Sequence, residues 1–426
     1  MMKKFLKLFT ILLFVFTAIL VAGCDGTKQQ GVTDEEILVG NTAATSGAYA
    51  AVGVPFNDAM QAVFKEINDK GGIDGRKIKF ITYNDEFDAS KGITYTERLV
   101  EEDKIFALVG HFGTPTVGAT VDYIQEIGIP MVYAATGIND LYFEESPMNP
   151  VLAVQPIYKT DGRLMAARAV KEKVYGEAKD AALPENAKIG VIYTNDDAGK
   201  SIKEGIEDQL KDLNLNNNAI YEQVSDNYSS AINKFKDQNV SVVIIAANQI
   251  PFSGILTQMA DSELEVPVFS SYVNADVTAV PERVKDGTVD IDIYVNAWVD
   301  VFSTKGAADV QGFMATINNS DLSDEKKAQY LTNSFAIAGY IAARVFVEGL
   351  ERVAEKGEEL TWENYIKAME SKIIEIPMGG TVDFTGGKRW GIDSMSLLKY
   401  TPAAGEVAES FAKVREIEKL DDILKK

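Results

Sequence analysis

The sequence predicts an α/β protein of two doubly wound, Rossmann-like lobes with a ligand cleft between them. Three observations carry that expectation. Apolar, β-branched runs recur at 37–44, 78–83, 106–110 and 130–135, and again at 189–193, 240–247 and 266–269. Between them lie stretches of helical periodicity, such as Phe56, Met60, Val63, Phe64 and Ile67 on one face. The alternation restarts at 151–156, where a new strand follows a Pro-containing, Asn- and Glu-rich loop. Strand, helix and strand in repetition is the pattern of parallel sheets covered on both faces. Folds of this kind hold ligands beyond the carboxyl ends of their strands, where loops run into helix N-termini.

The elements can be taken in chain order. Lys3, Lys4 and Lys7 lead into an almost unbroken apolar run over 8–23, the pattern of a secretory leader. The run is shorter than the roughly 20 residues of a spanning helix. Leu20, Val21, Ala22 and Gly23 followed by Cys24 resemble the bacterial lipobox. That resemblance implies diacylglycerol on Cys24 and cleavage before it, with 1–23 as signal peptide and the polar stretch 24–35 as a lipidated tether. An uncleaved anchor helix with an incidental Cys is the alternative; both readings put the rest of the chain outside the cytoplasm. Four strands are expected before 151 and roughly four after it. From about 274 the pattern loosens, with a strand expected at 291–298, a long helix at 332–353 and a short hairpin from 381–384 and 395–400. No short repeat period appears, which excludes a solenoid.

Composition narrows the function classes. With 46% hydrophobic and 25% charged residues the chain is an ordinary globular mixture. Asp and Glu number 63 against 42 Lys and Arg, a formal charge of -21. A nucleic-acid partner, which demands a dense cationic footprint, is therefore not expected. One Cys excludes an intramolecular disulfide and a Cys-cluster metal site, and one His removes zinc sites built from several imidazoles. A histidine-dependent triad is weakened, and neither G-x-S-x-G nor H-E-x-x-H occurs. No enzyme activity, cofactor or metal is expected. His111, at a strand end, is expected to be structural.

The segment 64–80 reads F-K-E-I-N-D-K-G-G-I-D-G-R-K-I-K-F and is followed by Tyr83, Asn84 and Asp85. Leu99, Val100, Asp103 and Lys104 come next, then V-G-H-F-G-T over 109–114, I-G-V-I-Y-T-N-D-D-A-G-K over 189–200 and a helix around Tyr340. In this order the pieces resemble the type I periplasmic binding proteins of the leucine/isoleucine/valine-binding group, the substrate-binding subunits of ABC transporters. The resemblance covers nearly the whole chain after Cys24. It implies lobes joined by three crossovers that close over an amino-acid-like or other small polar or carboxylate solute, with an ABC permease and ATPase as further partners. Lobe 1 is expected at 36–154 plus about 275–375, and lobe 2 at 155–274 plus about 376–426. A sensory protein of the same fold, signalling to a membrane partner, is the alternative.

The resemblance also implies a ligand site. Ser46 and Gly47 match the family's S-G loop, with Tyr49 and Val52 as apolar wall. Ser46 and Gly47 also read as an ordinary cap and turn. Phe112, Gly113 and Thr114 match the segment facing a substrate carboxylate, and Thr114 also reads as the N-cap of a helix starting at Pro115. Ala135, Thr136 and Gly137 match the next loop. The second lobe departs from the pattern. Ala198 and Asn248 stand where aromatics are usual, and no acid stands at Val273 to receive an α-ammonium. Asp197, or Asp196, is a candidate cation partner, with at least one of the pair expected to cap a helix. Asn248, Gln249, Tyr272 and Asn274 are expected as a neutral, amide-rich wall, and Trp298 as a stacking surface or a core residue.

Overall fold

The computed structural model describes residues 29–301, 303–405 and 407–426. The expected leader, Cys24 and the start of the tether lie outside the described residues. The remainder of the expected tether is not free. The Gln30 amide donates to the carbonyls of Val100 and Ile105, and the Gln29 side chain accepts the Trp362 backbone N–H. Two polar side chains that find unpaired backbone partners can thus dock a segment that lacks apolar anchors.

The first sheet holds β1 (Glu36–Ala43), β2 (Lys77–Asn84), β3 (Ala107–Val109), β4 (Met131–Val132) and β5 (Val151–Leu152) in the order β2-β1-β3-β4-β5. All of its pairings are parallel. The second sheet contains β6 (Lys188–Thr194), β7 (Ala219–Val224), β8 (Val240–Ala246), β9 (Val268–Ser270) and β10 (Ile293–Ala297), all parallel. A separate pair, β11 (Ile374–Glu375) and β12 (Thr381–Val382), is antiparallel. The second sheet is completed by β13 (Ser394–Thr401) and β14 (Ser410–Lys419), antiparallel on the β10 side, giving β14-β13-β10-β9-β8-β6-β7. Residues 395–400 therefore pair with β10 and β14, and the hairpin expected between 381–384 and 395–400 does not form. Two apolar runs near each other in sequence suggested a hairpin, but each found a different partner.

Helices cover both sheets, and the expected two-lobed architecture stands. Ala50–Asp69 packs against the long helix Ser334–Lys356 on the first sheet, and Tyr158–Lys171 packs against Asp197–Asp212 on the second. The long helix starts at its Asn333 cap, whose side chain accepts from the Phe335 and Ala336 N–H groups, and stops at Gly357 in left-handed conformation. The chain passes between lobes three times: after β5, after β10, and before β13. The return to lobe 1, expected near 275, comes only after β10, because this strand pairs with β9 and β13. The last crossing also comes later than 376, since Arg389 bonds the Asn149 carbonyl and Glu370 on the lobe 1 side. No helix among the described residues is long and apolar enough to cross a membrane.

Candidate functional site

Between the two sheets lies a cavity of about 720 Å³. Its floor is made where the parallel strands end, as expected for a doubly wound fold. Beyond β3, Phe112 makes an isolated bridge to Ala135 beyond β4, which brings these two cavity residues side by side. Gly113, at φ 102, is the N-cap of the helix Thr114–Ile127, so Thr114 is the first helical residue and not the cap. A Cβ at Gly113 would sit 3.0 Å from the Phe87 ring, which explains the glycine twice over. Thr114 lines the cavity, and its hydroxyl is paired at 2.9 Å with Thr136, which lies behind it. Gly137 serves close packing: a Cβ there would meet the Pro156 carbonyl at 2.5 Å and the Tyr272 hydroxyl at 2.9 Å.

The second lobe supplies a chain of polar contacts. The Gln155 amide donates to the Tyr272 hydroxyl at 2.9 Å, which donates to the Pro156 carbonyl at 2.8 Å. The Tyr158 hydroxyl donates to the Asn248 side-chain amide oxygen, Oδ1, at 3.5 Å. Burial raises the Tyr158 phenol above its ordinary pKa and holds that of Tyr272 well above it, so both are neutral and can donate. Burial likewise pushes Tyr49 up to about 12. Gln249 lines the cavity and donates its amide to the Val273 carbonyl.

Of the residues expected at the site, Tyr49, Phe112, Thr114, Ala135, Asn248 and Tyr272 meet at this cavity, together with Val52, Gln249 and Trp298. Others do not. Ser46 and Gly47 are exposed away from it, and Ser46 is tied to Asn84 through both its N–H and its hydroxyl. Asn274 is fully buried behind the wall, where its amide donates to the Ala247 carbonyl and the Ser270 hydroxyl. Asp197 is exposed as the first residue of its helix. Asp196 is the cap, accepting from the Gly199 N–H at 2.8 Å. These misses share one cause: a loop position fixes which residues are near a cleft, but side-chain direction is fixed by neighbours remote in sequence.

His111 is fully buried, with Nε2 3.3 Å from Thr96 and 3.2 Å from Thr120. Both threonine hydroxyls give their protons to backbone carbonyls, so Nε2 donates to them and Nδ1 is left to accept the Thr42 N–H. Burial lowers its pKa to about 3. This is a neutral, fully committed imidazole, and it does not line the cavity.

Sequence reasoning missed Phe56, Phe87, Tyr133, Gln155 and Tyr158, all of which line the cavity. Phe56 was visible only as part of a core helical face. Phe87 and Tyr133 occupy left-handed backbone, at φ 65 and 58, which no local motif announces. Their positions just past strand ends were the available signal. The Phe87 ring stacks on Tyr49 at 3.9 Å and 19°, and Tyr133 is tilted against Trp298 at 6.3 Å.

A protein-family model described as periplasmic binding protein matches residues 36–406. The Leu/Ile/Val-binding protein homolog 1 of Brucella suis biovar 1 (strain 1330) is 27% identical over 264 residues, 60% of this chain and 66% of that protein. The match spans just under two thirds of that relative's length. Among solved structures, the fatty acid ABC transporter substrate-binding protein from Thermomonospora curvata superposes with a TM-score of 0.72 at 16% identity, covering 94% of this chain and 96% of that one. A branched-chain amino acid ABC transporter structure from Thermus thermophilus with bound valine gives 0.71 at 15% identity, covering 93% and 100%. At such identities the structural likeness establishes the fold.

Proposed function

The chain belongs to the periplasmic binding protein family, and from that premise we propose that it is the extracytoplasmic solute-binding component of an ABC importer. It captures a small solute between its lobes and presents the closed form to a permease. The observation that carries this reading is the cavity, lined from lobe 1 by Tyr49, Phe112 and Thr114 and from lobe 2 by Asn248 and Tyr272. A ligand touching both walls stabilises their approach, which is how binding is converted into lobe closure. No covalent step is involved: the one histidine is neutral and committed elsewhere.

The sequence points to an amino acid or a similar small polar or carboxylate solute. Relatives and neighbours named for branched-chain amino acids and for a fatty acid are compatible with a site that holds one apolar body and one polar head. Cys24 supports attachment to the membrane through lipid, which keeps the protein beside its permease.

The test is a thermal-shift and small-angle scattering series on the purified protein with amino acids, amides, nucleobases and small carboxylates. One class should raise the melting temperature and shrink the radius of gyration, because a ligand bound only by the folded, closed form favours both. If no class does either, the solute-binding reading fails. Thr114→Ala should weaken binding of the active ligand by about 1–3 kcal/mol, the range for a hydrogen bond to a charged group; unchanged calorimetric affinity removes Thr114 from the site.

A further inference from the structure

We propose that the cleft takes an organic monocarboxylate with an aromatic or branched alkyl body and no α-ammonium; this rests on the solute-binding reading above. Three features of the cavity lead there.

The first is the wall. Tyr49, Phe87, Phe112, Tyr133, Tyr272 and Trp298 bring aromatic rings to the cavity from both lobes. Two of them, Phe87 and Tyr133, hold φ of 65 and 58. Left-handed backbone at a bulky residue costs about 1–3 kcal/mol and persists where the surrounding structure needs that side chain in place. The volume of about 720 Å³ falls within the roughly 300–1,000 Å³ of sites for drug-sized molecules, larger than a minimal amino acid needs.

The second is charge. Among the described residues the cavity lining contains no Lys, Arg or His and two acids, Asp276 and Glu409. Asp276 accepts from the Thr278 N–H and hydroxyl, both at 2.8 Å. Glu409 is bonded by Lys285 at 3.1 Å and by Tyr400 at 2.7 Å. Asp196, near Tyr49, is spent as a helix cap and is exposed. An α-ammonium taken among these rings would lose its hydration, and the lining offers it only Asp276, whose Oδ1 already accepts from Thr278, and Glu409, which Lys285 neutralises.

The third is the pair of donors for a head group. The helix Thr114–Ile127 opens at Thr114, in the cavity wall, with no side-chain cap and no acid in its first turn. Its leading N–H groups and positive dipole end are suited to an anion. Independently, Tyr133 is fully buried in the same wall, and its hydroxyl has no hydrogen-bond partner among the described residues. Leaving such a group unpaired is costly, and a carboxylate, with two oxygens that only accept, satisfies it.

Matched pairs decide the matter by calorimetry on the purified protein. 3-Phenylpropanoate and L-phenylalanine differ only in the α-ammonium, as do 4-methylpentanoate and L-leucine. At least one acid should bind, tenfold or more tightly than its amino-acid partner. Equal or tighter binding of the amino acids overturns the inference, as does binding of 3-phenylpropanamide as tight as that of its acid. Tyr133→Phe should weaken acid binding about tenfold while the melting temperature holds or rises, since an unpaired hydroxyl is removed; unchanged affinity overturns the head-group assignment. If neither acid binds but another solute closes the lobes, this inference falls and the solute-binding reading survives. If nothing closes them, both fall.

Discussion

At the scale of single residues, the site is governed by which polar groups are committed and which are free. His111, expected to be structural although it stands at a strand end, has its capacity absorbed by two threonines and one backbone N–H. Asp161 is a different case. It is fully buried, with Oδ1 bonded by the Asn296 amide at 2.8 Å and Oδ2 unpaired among the described residues. Burial raises its pKa from 3.8 to about 7, outweighing the hydrogen bonds that favour the charged form. The folded state therefore binds the proton more tightly than the unfolded chain. Its contribution to stability is fully present below the ordinary carboxylate pKa and is lost as pH rises through about 7. Thermal melts should show the wild type losing stability against Asp161→Asn as pH rises from about 5 to about 8. Parallel profiles for the two proteins would mean that Asp161 is ionised throughout.

At the scale of elements, the strongest sequence signals were the buried parallel strands, whose two covered faces give continuous apolar runs. Two edge strands, β7 and β14 of the second sheet, escaped notice for the complementary reason. In β7 five of six residues are not fully buried, and in β14 none is, with Lys413, Arg415, Glu416, Glu418 and Lys419 along its length. Charge along an edge protects it from pairing with other chains and also hides it from pattern reading. What holds β14 is partly ionic. Glu172, buried at the end of the helix Tyr158–Lys171, receives Arg415 at 2.7 Å, Lys426 at 3.1 Å and Arg168 at 3.3 Å. Arg168 is itself fully buried and donates to the Met395 carbonyl in β13. Glu172→Ala would leave the buried Arg168 with Glu418, at 3.2 Å, as its one remaining carboxylate among the described residues and should cost about 1–3 kcal/mol, the range for a lost hydrogen bond to a charged group. Urea unfolding measures it; a loss below about 1 kcal/mol would put the ionic cluster among ordinary surface pairs.

At the scale of the whole molecule, the formal charge of -21 describes solubility more than recognition, because the lining is almost uncharged. Attachment is a separate matter from binding. Cys24→Ala should move the protein from the membrane fraction to the soluble fraction without altering ligand affinity; an unchanged distribution after fractionation would remove lipid anchoring. Gln29 and Gln30, within the stretch expected as a tether, dock on lobe 1.

The sequence by itself determined the two-lobed α/β fold, the loops that reach the cleft, and the neutrality of the second-lobe wall at Asn248 and Tyr272. The fold follows from local periodicity, and the loops and the wall from the family resemblance carried by segments such as 109–114 and 189–200; neither needs knowledge of distant neighbours. Tertiary structure decided the rest. Trp298 lies at a crossover, Phe56 and Ile337 come from two helices far apart in the chain, and Phe87 and Tyr133 depend on strained backbone. They share one cavity because closing a cleft joins chain segments that no local pattern relates, and the same packing fixes which side chains point inward.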